Sequence, residues 1–287
     1  MRKNRDHTLS ENLPVIAMIF CVPVGMLVSE IGGGMTAGVL FMGNQDMATT
    51  ASYFTSSLFA LAVLAGFKWW YRPKYEGSVR MHVSMKDILP EYLFGMGYVL
   101  LSAILLLCIH HFCFKPSLDA LGMSLSAGFV EETAFRAMPI AIAMRYFRDS
   151  GDKTLKAAVI TSLIFGLAHA FNILAGATPV LAVVQVICTF CHGLFMCMLY
   201  QRTGSILPSI FLHVVNDFVF LTMDPTLTEG VMTGQLTWYN ILDTVLMIAH
   251  AVYAVYVLRR NHQPPIQEIW DRKWNREEEA KEEESVG

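Results

Sequence analysis

Charge is what this sequence has least of. Aspartate, glutamate, lysine and arginine make up 16% of its 287 residues, against 54% hydrophobic ones, and mean hydropathy is +0.44. So little charge cannot clothe a soluble globule of this length, which excludes an ordinary soluble domain and points to a polytopic membrane protein. No basic patch with interleaved aromatics occurs, which sets nucleic acid aside as a partner. The six cysteines (Cys21, Cys108, Cys113, Cys188, Cys191 and Cys197) all lie in or beside apolar runs. Thiols there behave as small hydrophobes, so no disulfide framework is expected. The signatures of the commoner hydrolases are missing as well: no His-Glu-x-x-His zinc helix, no Gly-x-Ser-Gly serine elbow and no Gly-x-Gly-Asp aspartyl motif. There is no Asn-x-Ser/Thr sequon either, which favours a bacterial cell membrane.

What is present is a ladder of apolar runs, each near the roughly 20 residues a helix needs to span a bilayer. They cover residues 13–40, 48–71, 88–114, 119–144, 155–175, 179–200, 205–223 and 237–258. The expected fold is therefore all-α, with about eight transmembrane helices. The first run follows Arg2, Lys3 and Arg5 as a signal peptide would, but its length and the lack of a cleavage site predict a retained span. Glu30 with Gly32, Gly33 and Gly34 predicts a break or kink at its outer end, and Trp69, Trp70 and Tyr71 an interfacial belt on the second. Of the 21 Lys and Arg, all but Lys115 and Arg136 fall in one set of alternate segments. By the positive-inside rule that set is cytoplasmic, and so are both termini. The chain divides into helices 1–3 (1–118), a core of helices 4–7 (119–223), helix 8 (224–260) and a charged tail (261–287). That tail, with Pro264-Pro265, Glu277 to Glu279 and Glu282 to Glu284, is expected to be a solvated helix or disordered.

The fourth run carries Glu131-Glu132-Thr-Ala-Phe-Arg136. Each ionised side chain at mid-membrane costs roughly 2.5–3.5 kcal/mol on insertion scales, so a functional reading is the default. Glu132 and Arg136 stand four apart, about 40° around a helix, and can pair. Glu131 lies roughly 140° from Arg136 and needs a partner on another helix. Counting about 1.5 Å per residue from the cytoplasmic ends puts Glu131 roughly 20 Å deep. The same count puts His169 near 18–20 Å, His213 near 12 Å and Asp217 near 18 Å. Three helices thus bring an acid, two imidazoles and an Asp to one layer, with Asn216 beside them. Such a layer suits water activation by Glu131 and His169, with His213 and Asp217 or Asn216 facing an oxyanion. The same Glu131, His169 and His213 could bind zinc.

These residues resemble the three motifs of the CAAX protease and bacteriocin-processing family of intramembrane endopeptidases, which includes the type II CAAX prenyl endopeptidases. The motifs are Glu131-Glu132-x-x-x-Arg136, Phe165-x-x-x-His169 and His213-x-x-x-Asp217, and the likeness covers about 119–222. It implies that Glu131 and His169 activate water without a cofactor, that His213 and Asp217 stabilise the oxyanion, and that Glu132 and Arg136 support them. The implied substrate is a membrane-anchored peptide or protein. Asp217 is a departure from the Asn of the prenyl proteases. An ionised Asp opposes an oxyanion, so it must be protonated, orient His213 or leave Asn216 to donate.

Two other functions fit the composition: a non-proteolytic scaffold or bacteriocin-immunity protein, and an ion-coupled transporter. No inverted repeat supports the transporter. Cys188-Thr-Phe-Cys191-His192 reads literally as a haem attachment sequence, but it lies inside the sixth run where no haem could reach it. His192 and Gln185 read as packing residues, His110 and His111 as interfacial, and Glu91 as an entrance residue. Asp243 and His250 face inward if anywhere.

Overall fold

An apolar run satisfies its backbone N–H and C=O groups in lipid only by coiling on itself, and every one of the eight runs is helical. The computed structural model describes residues 12–70, 75–224, 227–228, 231–232, 235–259 and 263–274. The helices are α1 (Pro14–Leu40), α2 (Gln45–Trp70), α3 (Leu89–Ile109), α4 (Leu118–Ser126), α5 (Met138–Tyr146), α6 (Lys153–Ala168), α7 (Pro179–Thr203), α8 (Leu207–Met223), α9 (Trp238–Leu258) and α10 (Gln263–Lys273). Among the described residues six stretches are long and apolar enough to cross a membrane, and α8 is apolar but shorter. This is an all-α polytopic membrane protein. A two-residue antiparallel bridge, Leu227–Thr228 with Val231–Met232, lies between α8 and α9.

Local sequence sets the helix ends. The Ser117 hydroxyl accepts from the Ala120 N–H at the start of α4, Thr178 caps α7 before Pro179, and Thr237 with Asn240 makes a capping box on α9. Gly204, at φ 69°, ends α7 in a left-handed turn that a side chain disfavours. α7 is apolar nearly all round, as a central helix must be. Residues Phe195 to Tyr200 are wholly buried, and Cys191, His192 and Gly193 continue the buried stretch towards the site. By contrast α1 exposes Ile16, Phe20, Leu27 and Ile31, a lipid-facing stripe.

Two expectations are corrected. α1 is not broken at Gly32–Gly34; it runs unbroken to Leu40. The glycines serve close packing: a Cβ on Gly33 would sit 2.4 Å from Ser56 Oγ, and one on Gly32 2.6 Å from the Phe59 ring. Glu30 takes hydrogen bonds from Ser56 and Ser126, which tie α1 to α2 and α4.

The described part of the tail is not a solvated helix. α10 buries Ile266, Ile269, Trp270 and Lys273 against the bundle, and Trp274 just beyond it is buried too. Trp270 Nε1 donates to the Gln201 carbonyl, and Lys273 Nζ donates to the carbonyls of Gly77 (2.5 Å) and Gly204 (2.6 Å). Burial pulls the Lys273 ammonium down to about 8, against the opposing pull of Glu76. Glu277 to Glu279 and Glu282 to Glu284 lie outside the described residues, as do Tyr71 and the basic residues at 2, 3, 5, 72, 74, 260, 276 and 281.

Candidate active site

The fourth run does not form one regular helix. Between α4 and α5 the backbone makes two wide turns of π-helix, Ala127–Glu131 and Thr133–Ala137, hinged at Glu132. Such turns lose α-type hydrogen bonds and recur at functional sites. Pro139 helps set them, because it cannot supply the N–H that an α-helix would direct at Phe135. Tight neighbours hold them in place. A Cβ on Gly128 would fall 2.5 Å from Val214 on α8, and one on Gly25 would fall 2.9 Å from the Cβ of Ala134. Both glutamates therefore stand on a locally widened backbone wedged between α1 and α8.

Their surroundings differ as the helical spacing predicts. Glu132 and Arg136 are both fully buried and pair at 3.0 Å. The contact is an ion pair and not an aligned hydrogen bond, since no guanidinium nitrogen points its N–H along an acceptor direction. The same Glu132 oxygen, Oε1, lies 2.8 Å from His213 Nδ1. Glu132 thus has a second task that spacing on one helix could not reveal: it fixes the His213 ring and leaves Nε2 facing the cavity. On that side Asp217 Oδ2 lies at 3.4 Å and Glu131 Oε2 at 3.8 Å. Asp217 is steadied in turn by Asn216, whose Nδ2 donates to Oδ1 at 3.2 Å.

His169 reaches the site through aromatic packing. It begins the 3-10 turn His169–Ala175 that continues α6, and its Nδ1 lies 3.0 Å from the Phe165 carbonyl. That contact directs Nε2 away from its own helix. The Phe165 ring is sandwiched, with the Arg136 guanidinium 3.7 Å from its centroid and the His169 ring edge-on at 4.6 Å. A desolvated cation over an aromatic face is worth about 2 kcal/mol. Arg136 thereby locates the ring that locates His169. Gly193 on α7 leaves the room for this, since a Cβ there would come within 3.3 Å of Arg136 Nη2.

A cavity of about 520 Å³ opens on these groups. Glu131, His169, His213, Asn216 and Asp217 line it, while Glu132 and Arg136 stand behind the wall. Arg136 pairs with Glu132 and not with Glu131, whose carboxylate faces the cavity with His213 Nε2 at 3.8 Å. Among the described residues no three His, Cys, Asp or Glu side chains converge tightly enough to hold a metal ion.

Residues 113–219 match the model of the family described as type II CAAX prenyl endopeptidase Rce1-like. That stretch is similar to the Rce1-like family. It begins just before α4 and ends within α8, so it contains Glu131, Glu132, Arg136, Phe165, His169, His213, Asn216 and Asp217 and leaves α1 to α3, α9 and α10 outside. No curated protein and no solved structure matches the chain.

The cavity also has lining residues that read from the sequence as packing or inward-facing positions, or carried no signal of their own. Gln185, Cys188, Thr189 and His192 share one face of α7, and Tyr98 and Asp243 reach in from α3 and α9. The i, i+3, i+4, i+7 spacing of the α7 set was the signal available. Glu91 pairs with Arg202 at 2.9 Å, and His110 lies 3.6 Å from Asp224; neither lines the cavity.

Proposed function

We propose that this chain is an intramembrane endopeptidase that cleaves a membrane-associated peptide or protein through water activated by Glu131 and His169. The observation that carries it is the division between neighbours. Glu132 is committed to Arg136 and His213, whereas Glu131 is left facing the cavity. His169 Nε2 holds the water and Glu131 takes its proton as the oxygen attacks the scissile carbonyl carbon. The carbonyl oxygen gains negative charge and accepts from His213 Nε2–H, which Glu132 has oriented. Collapse of the tetrahedral intermediate breaks the C–N bond, and Glu131 returns its proton to the leaving amine. Asp217 has the task of holding His213, and Asn216 Nδ2 is the nearby neutral donor.

The test is cleavage of a panel of membrane-anchored peptides by purified, detergent-solubilised protein, with new termini scored by mass spectrometry. Chelators are expected to have little effect, because the proposed steps use side chains alone. Activity lost to chelation and restored by zinc would instead make Glu131, His169 and His213 ligands. No cleavage of any peptide in the panel would return the layer to a packing role.

The proposal places the chemistry nearer the cytoplasmic face, with both termini in the cytoplasm. Reporter fusions at Gly43 and Ala177 should then read as external and one at Gly151 as internal. An external reading at Gly151 would overturn that orientation. Gly230, in the remaining external loop, lies outside the described residues.

A further inference from the structure

The cavity extends beyond the groups that the hydrolysis uses, and its far end is acidic. Asp243 on α9 lines it although the residue is only 4% exposed. Its Oδ1 accepts from the Tyr98 hydroxyl at 2.7 Å. No partner is found for Oδ2 among the described residues, and it is not sealed from the cavity. A buried carboxylate normally carries a cation or several donors. Among the described residues no Lys or Arg lines the cavity, and the other charge acting on Asp243 is the acidic Asp224. A second observation points the same way. His192 is 7% exposed and lines the cavity, and neither of its ring nitrogens has a hydrogen-bond partner. Its ring stands 6.2 Å from that of His213, centroid to centroid. One turn back along α7, Cys188 touches Thr244, the neighbour of Asp243, at 3.3 Å, so α7 and α9 pack together beside this part of the cavity.

We infer that Asp243, Tyr98 and His192 form a substrate subsite for a cationic hydrogen-bond donor, an ammonium or guanidinium group on the peptide near the scissile bond. This rests on the endopeptidase reading. The geometry supplies what such a group needs: a carboxylate oxygen free to pair, a hydroxyl holding that carboxylate in place, and in the same cavity wall an imidazole ring with no hydrogen bond of its own. An anionic group would meet three carboxylates, Glu131, Asp217 and Asp243, with no Lys or Arg to answer it. A purely aliphatic group would leave Asp243 and His192 unsatisfied.

Binding separates this from catalysis. Fluorescent membrane-anchored peptides that differ at one position, lysine, norleucine or glutamate, would be titrated into the Glu131→Gln protein in nanodiscs. An N-acetylated and a free-amine version of the norleucine peptide would show whether a terminal amine serves as well as a side chain. The lysine peptide is expected to bind about tenfold or more tighter than norleucine, the size typical of a desolvated charge pair, and glutamate weakest. Asp243→Asn keeps the Tyr98 contact and should collapse the lysine preference to within about twofold, whereas Asp243→Glu should retain part of it. Equal binding of all three peptides, no binding of any, or a preference that survives Asp243→Asn would overturn the subsite. Cleavage by the unmodified protein is scored separately. Cleavage without charge preference removes the subsite and keeps the protease; preference without cleavage does the reverse.

Discussion

Glu131→Gln is expected to abolish cleavage, by at least the 10²–10⁴-fold typical of a lost general base, while the protein accumulates in the membrane as before. The substitution keeps the side chain's shape and gives up only the 3.8 Å pairing with His213 Nε2, a ring that retains Glu132 and Asp217. His169→Ala should be as damaging to turnover. That side chain is partly exposed to the cavity and makes one backbone contact, so its loss takes little from the fold. In the proposed reaction both residues act on one proton transfer from one water. The double variant should therefore lose scarcely more than either single one, since groups that work as a unit are strongly non-additive. The measurement is single-turnover cleavage alongside quantitation of folded protein. Activity that survives Glu131→Gln removes the residue from catalysis. Multiplying losses in the double variant would mean that the two act in separate steps.

The bundle and the convergence of Glu131, His169, His213 and Asp217 on one cavity were legible because both are written locally. Eight apolar runs show themselves by length and composition, and the spacing of Glu132 to Arg136 and His213 to Asp217 is fixed by helix geometry whatever surrounds it. The layer of Glu131, His169 and His213 needed only a rise per residue and a topology. What stayed hidden depends on contacts between segments far apart in sequence. Glu132 reads as the partner of Arg136, and nothing on its own helix says that His213, 81 residues away, shares the same oxygen. The π turns escape because they arise from wedging between α1 and α8, and a hydrophobic pattern does not record a widened turn. α10 misleads for a different reason. Ile266, Ile269, Trp270 and Lys273 are spaced as a buried face, but they sit among charges that outweigh them in composition. Asp243 and His192, each an isolated polar residue in an apolar helix, read as helix–helix glue until the cavity between their helices is seen.

Arg136→Ala is expected to do the opposite of Glu131→Gln: to deplete the folded protein itself. Arg136 is 0% exposed, and its loss leaves the Glu132 carboxylate, also 0% exposed, without a permanent cation. Removing one member of a buried pair costs about 3–5 kcal/mol, because the survivor remains desolvated. Losing the guanidinium over Phe165 adds to that, and frees the ring against which His169 packs. The total is a large share of the roughly 5–15 kcal/mol that holds a typical domain. Membrane accumulation and detergent melting temperature should both fall, and any residual folded fraction should cleave poorly because His169 and His213 are no longer held. Arg136→Lys separates the two contributions. It keeps a positive charge for Glu132 but not the planar stack on Phe165, so it should recover more of the stability than of the activity. Near-normal accumulation and melting of Arg136→Ala would mean that Glu132 is neutral in the folded protein, and the supporting role of the pair would fall with it.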